Sequence, residues 1–144
     1  MSSAMKILVR CAVAVMFAWS VVACRPSRPV AHAAGVRLEV SDSIVALGRV
    51  DTFSLGRMKQ GETILKEFAL HNVGNKPFVL NSVKSDCGCL VSEYDSSPVM
   101  PDGVATVSIS FDSRGYYGFV FKRIQIFTSL TPQPLNIWLQ AIVE

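Results

Sequence analysis

Cys87-Gly88-Cys89 is the segment of this chain whose residue types and spacing could do chemistry. Two cysteines separated by one glycine admit three chemistries. As a disulfide they would close a very small ring: residues i and i+2 of an extended strand share a face, but their Cα atoms lie near the ~7 Å upper limit for bridging. A turn at Gly88 would draw them together, and an exposed strained bridge of that kind exchanges readily. As a metal site, two thiolates suit a soft ion such as copper(I) or zinc(II), and a closed zinc site needs two further ligands. The histidines offered by the sequence are His32 and His71, so His71 is the candidate extra ligand. As a packing device, two small apolar-behaving side chains would fill a strand bend where Gly88 supplies backbone freedom. Asp86 would raise a neighbouring thiol pKa and Lys84 would oppose it. The three readings stay open at the level of sequence.

Nothing else reads as a catalytic set, and the chain is expected not to be an enzyme. There is no Gly-rich phosphate loop, no histidine at nucleophile spacing and no His-x-x-x-His pair. Glu93 and Asp95 would share a strand face around Tyr94, which fits a solvated strand end. Tyr116-Tyr117-Gly118-Phe119 reads as a core or sheet-edge cluster, with ligand stacking as the rival. No cofactor is expected.

The elements that would position these residues begin with an export signal. Lys6 and Arg10 precede an apolar run from Cys11 to Ala23, and Val21-Val22-Ala23-Cys24 closes it. The run is shorter than the ~20 residues that cross a bilayer, so it reads as a secretory signal peptide. The terminal cysteine resembles a bacterial lipobox, with lipidation at Cys24 and cleavage before it. A cut after Ala31-His32-Ala33 and an uncleaved anchor are the alternatives. The expected organisation is a signal at 1–23, a flexible Pro/Ala/Ser-rich tether at 24–35 and one β-sandwich domain at 36–144. The protein is expected in the bacterial cell envelope, tethered to a membrane facing the periplasm or the exterior, with an envelope protein as candidate partner.

The formal net charge of +3 misleads about the domain. Four basic residues precede Val36, and beyond it ten Lys/Arg face eleven Asp/Glu. No basic cluster larger than Lys122-Arg123 occurs there, so a nucleic-acid partner is not expected.

From Val36 onward, short alternating runs are separated by turn residues, the mark of an all-β sandwich. Leu135, Ile137, Leu139, Ala141 and Val143 share one strand face, and Ala105, Val107, Ile109 and Phe111 share another. Runs near 36–40, 44–48, 52–57, 63–72, 77–85, 89–94, 104–112, 119–128 and 134–143 predict about seven to eight true strands in two antiparallel sheets. The run from Phe119 to Ile124 alternates too poorly to assign a buried face. Asn72, Gly74 and Pro77 build one turn, and Met100-Pro101-Asp102-Gly103 builds another.

Several of these motifs in order resemble a bacterial family called domain of unknown function 1573. They are Phe53-Ser54-Leu55-Gly56, Gly61-Glu62-Thr63, Phe68, His71 through Pro77, Cys87-Gly88-Cys89, Pro98 through Gly103 and Phe111 through Gly115. The resemblance covers most of residues 44–144. It implies an immunoglobulin-like sandwich, similar in shape to major-sperm-protein and Hydin domains, together with export and lipid anchoring. It implies no activity. Two departures stand out: Asp102 interrupts the Pro-Gly turn, and Leu90 stands where a threonine is expected.

Overall fold

A computed structural model describes residues 31–144. Their strands are β1 (Ala31–Val40), β2 (Val50–Met58), β3 (Thr63–Asn72), β4 (Leu80–Ser85), β5 (Leu90–Tyr94), β6 (Val104–Asp112), β7 (Gly118–Thr128) and β8 (Leu135–Val143). They form two four-stranded sheets, ordered β1-β3-β6-β5 and β2-β8-β7-β4. The expected β-sandwich is therefore the fold. β1 begins at Ala31, inside the stretch read from sequence as tether.

The sheets are mixed, which corrects the antiparallel expectation: β1 runs parallel to β3, and β2 parallel to β8. The cause is connectivity. The chain crosses from one sheet to the other between β1 and β2 and back between β2 and β3, reversing direction each time. β1 and β3 thus return to one sheet pointing the same way, and β2 and β8, six strands apart in sequence, are likewise joined by no hairpin that would force them antiparallel. A second correction concerns 44–48, which is not a strand. Asp42–Ala46 forms a short helix, α1, because Ser41 caps it by accepting the Ile44 N–H at 3.3 Å and Asp42 sits in its first turn. Ile44-Val45-Ala46-Leu47 has no alternation to offer a sheet. The third difference is that the run 77–85 splits: Phe78 makes an isolated bridge to Val99, and β4 starts at Leu80.

Alternation places the core as the sequence implied. Ile64, Phe68 and Leu70 of β3 face inward with Val107, Ile109 and Phe111 of β6, against Ile137, Leu139 and Ala141 of β8. Phe53 and Phe68 meet edge to face across the sandwich with centroids 5.3 Å apart. β7 resolves its ambiguous run by sending Val120, Ile124 and Ile126 inward and leaving Phe119, Phe121 and Arg123 exposed. Lys66 occupies an inward position of β3 and is buried.

The directions of the strands define two ends. One gathers the start of β1 and β3, the finish of β2, β6 and β8, and the 113–117 loop, since Ala31 pairs with Ile64 and Ile64 with Phe111. The other gathers α1, the 73–77 turn and the 99–103 turn.

Candidate functional site

The Cys87-Gly88-Cys89 segment crosses from β4, an edge strand of one sheet, to β5, an edge strand of the other. The cysteines are joined as a disulfide, with Cα atoms 5.3 Å apart. The turn at Gly88 has thus brought them well inside bridging distance. Neighbouring backbone groups fix the turn. The Ser85 hydroxyl donates to the Cys87 carbonyl at 2.9 Å, and the Asp112 N–H donates to the Cys89 carbonyl at 3.0 Å. Asp86 turns away from the sulfurs: its carboxylate accepts the Arg123 N–H at 3.1 Å, and its own N–H donates to the Arg123 carbonyl. Both cysteines are half-buried and pack on the core, while Gly88 is exposed and, apart from the two cysteines that flank it, has no heavy atom within 4 Å of where a Cβ would sit. The segment is a covalent corner strap with one open side.

His71 does not join it. It sits at the opposite end of β3, paired with Val104, while Cys89 meets the far end of β6 at Asp112. Eight residues of strand separate those positions, roughly 26 Å at ~3.3 Å per residue. The Arg37 guanidinium donates to His71 Nδ1 at 2.7 Å, which occupies that ring nitrogen. Among the described residues no group of three or more His, Cys, Asp or Glu side chains could hold a metal ion. Cys24 lies outside the described residues, and nothing is described of the His32 side chain. Among the described residues no helix is long and apolar enough to cross a membrane.

The other singled-out residues are turn builders. Asn72 is fully buried; its Nδ2 donates to the carbonyls of Lys76 at 2.9 Å and Val99 at 3.0 Å, and its Oδ1 accepts the Gly74 N–H at 3.0 Å. Its backbone accepts from Asp102 and donates to Gly103. One side chain therefore ties the 73–77 turn to the 99–103 turn. A Cβ on Gly74 would lie 3.3 Å from Asn72 Oδ1, and one on Gly103 only 2.8 Å from the Met100 carbonyl oxygen. Asp102 takes a left-handed conformation, φ 62°, which an aspartate tolerates. Pro77 is exposed and leads into the Phe78–Val99 bridge.

Glu93 and Asp95 do not act as a pair. Asp95 accepts the N–H and hydroxyl of Ser97, each at 2.9 Å, which hold its carboxyl below its usual range. Tyr116 packs against Phe111 beneath the Lys122 ammonium, and Tyr117 and Phe119 project into solvent.

Two features escaped the sequence. The first is a groove of about 510 Å³ lined by Asp95, Ser97–Met100 and Gly103–Thr106. β3 pairs with β6 along its length to Val104, whereas β5 pairs with it only as far as Val107. After Tyr94 the chain leaves for the other sheet and bridges Phe78, so Val104–Thr106 have no strand on that side. The second is a stack on the outer face of β7 and β8. Phe119 and Phe121 lie 6.2 Å apart, Phe121 and Trp138 4.6 Å apart, and the Arg123 guanidinium sits 5.7 Å from the Trp138 ring. The exposed Phe119 and Phe121 in one run were the signal; their union with Trp138 depends on the β7–β8 register.

A two-sheet sandwich with a disulfide strap at one corner and an asparagine knot at the far end is the class of domain that these features define. The chain belongs to the family described as protein of unknown function (DUF1573), whose model matches residues 48–143. No curated protein matches it. Among solved structures it is similar to a protein of unknown function from Porphyromonas gingivalis W83, at 23% identity and TM-score 0.55, over 63% of this chain and 43% of that one. It is also similar to the secreted serine protease VesC from Vibrio cholerae, at 12% identity and TM-score 0.50, over 62% of this chain and 21% of that one. The VesB protease from the same organism matches at 9% identity and TM-score 0.51, over 65% of this chain and 30% of that one. The chain spans less than half the length of each, and these likenesses establish fold alone.

Proposed function

We propose that this protein is an exported, lipid-anchored and non-enzymatic envelope protein that works as an interaction module. The observation that carries the reading is the vacated edge of β6. A strand edge with its neighbour removed, beside an open groove, suits an extended segment of another protein laid alongside Val104–Thr106. Main-chain hydrogen bonds would give such a segment its hold, and Pro98, Val99 and Met100 would line the path of its side chains. Among the described residues no hydrogen bond joins a Ser, Thr or Cys nucleophile to a histidine, and both domain cysteines are spent on the strap. Export suits the strap, because disulfides persist in oxidising compartments. Lipid attachment at Cys24 rests on the lipobox-like sequence.

The test is site-specific photo-crosslinking in the native envelope, with the probe at Thr106 and, as control, at the exposed Thr52 on the other sheet. A partner adduct of defined mass at Thr106 alone supports the module, and it should survive Cys87→Ser with Cys89→Ser. Absence of any adduct at Thr106 would end this reading.

Thiol exchange is the second reading, favoured by a bridge between two half-buried cysteines at an exposed turn. A partner thiolate would attack one sulfur, form a mixed disulfide with it and expel the other as a thiolate. In a Cys89→Ser variant the exchange runs from the other side: the free Cys87 thiolate attacks a partner disulfide and expels one of its sulfurs as a thiolate. The mixed disulfide persists because no second cysteine resolves it. A role in holding copper or zinc would need ligands from a second molecule, since His71 lies at the other end.

A further inference from the structure

Apart from Tyr94, which pairs with Val107 farther along the sandwich, the exposed aromatic side chains are gathered at one end, and it is the end at which the chain arrives. Ala31 opens β1 seven positions after Cys24 and pairs with Ile64, which pairs with Phe111. β6 finishes at Asp112, the 113–117 loop follows, and β7 starts beside the finish of β8, where Gly118 pairs with Val143 and Phe119 with Ile142. That end shows Tyr117 at 81% exposure, Phe119 at 67%, and Phe121 and Ile142 at 44% and 39%. Seven residues reach at most roughly 25 Å when fully extended, so a lipid on Cys24 keeps this end close to its bilayer.

The chemistry of the end suits a headgroup layer. Aromatic rings concentrate at membrane–water interfaces, where long basic side chains lay their stems along apolar surface and keep their charges wet. Lys122 lies over Tyr116 and Arg123 over Trp138 in that manner. The nearby carboxylates are engaged within the protein: Glu144 pairs with Arg57, Asp112 with Arg114, and Glu62 accepts the Lys59 N–H at 2.8 Å. The stacked rings of Phe121 and Trp138 lie 6° from parallel. With their faces turned to one another, they do not form the flat platform that a sugar ring needs.

We propose that the end formed by Tyr117, Phe119, Phe121 and Ile142 rests in the headgroup layer of the membrane to which the chain is tethered. The β6 groove, at the opposite end, is thereby held away from the bilayer and open to a partner. The proposal rests on the lipid-anchor reading and adds an orientation to it.

The test compares two exposed positions in the full-length protein, extracted with its anchor and reconstituted in vesicles of phosphatidylethanolamine and phosphatidylglycerol. Tyr117→Trp places a probe at the aromatic end, and Leu47→Trp places one at the other, where Leu47 is 85% exposed. Lipids brominated just below the headgroup should quench the Tyr117→Trp probe several-fold more strongly than the Leu47→Trp probe. Tyr117→Trp with Phe119→Ser and Phe121→Ser should lose that excess while still floating with the vesicles. Equal quenching at the two positions, in a chain whose intact mass shows lipid on Cys24, would overturn the orientation alone. A concentration-dependent blue shift at Tyr117→Trp without quenching would assign the face to a second copy, and also overturn it. A chain with no lipid on Cys24 would remove the anchor reading and this proposal with it.

Discussion

The corner at Cys87–Cys89 and the knot at Asn72 are both built from short motifs, and they hold the sandwich in opposite ways. The corner uses one covalent bond between residues two apart, at an exposed turn with an open glycine. The knot uses a fully buried amide that serves three backbone groups from two turns, with glycines where a Cβ would collide. A bond across one residue constrains little chain, whereas the amide joins segments 27 residues apart. The difference teaches that the most chemically suggestive motif need not be the most structurally costly one to remove.

The largest expected effect is therefore at the knot. Asn72→Ala strands the Lys76 and Val99 carbonyls and the Gly74 N–H, and should cost about 3 kcal/mol in a denaturant titration. A loss smaller than that of the double cysteine variant would reverse the comparison. The glycines sharpen it. Gly103→Ala forces a Cβ to within 2.8 Å of a carbonyl oxygen and should cost about 1–3 kcal/mol. Gly88→Ala meets nothing and should stay within about 0.5 kcal/mol of the parent. Cys87→Ser with Cys89→Ser releases a loop of about three residues, for which chain entropy gives only about 1.5 kcal/mol. Thermal melts of oxidised and reduced protein would check that value without any substitution.

The smallest effect is a pH dependence beside the groove. Asp95 has its carboxyl pKa lowered by the Ser97 N–H and hydroxyl, so its contribution to the turn is complete above the ordinary carboxylate range. It is lost as pH falls through the lowered folded value. The protection of the Ser97 amide, relative to its intrinsic exchange rate at the same pH, should fall on acidification below about pH 4, and Asp95→Asn should flatten the dependence. Asp42, lowered by the Lys76 ammonium, follows the same sign at α1.

Much of this was legible in the sequence because it is local. Alternation in 104–112 and 135–143 fixed which face each strand buries, since side chains in a strand alternate whatever its partner. Asn72, Gly74 and Gly103 announced turns because their residue types allow few other conformations. The run 44–48 misled because its apolar content is real, and the Ser41 cap with a non-alternating run favoured a helix instead. His71 misled because sequence lists potential ligands without saying at which end of a strand they fall.

By itself, then, the sequence determined the strands, most of their buried faces, the turn chemistry and the membership of a family. Tertiary structure alone decided the parallel pairings, the separation of His71 from the cysteines and the vacated edge of β6. It also decided the gathering of Tyr117, Phe119, Phe121 and Ile142 beside the start of β1. The physical reason is range. Propensity and alternation act within a few residues, while each of these features follows from which sheet the chain enters after a crossing and where along its neighbour it comes into register.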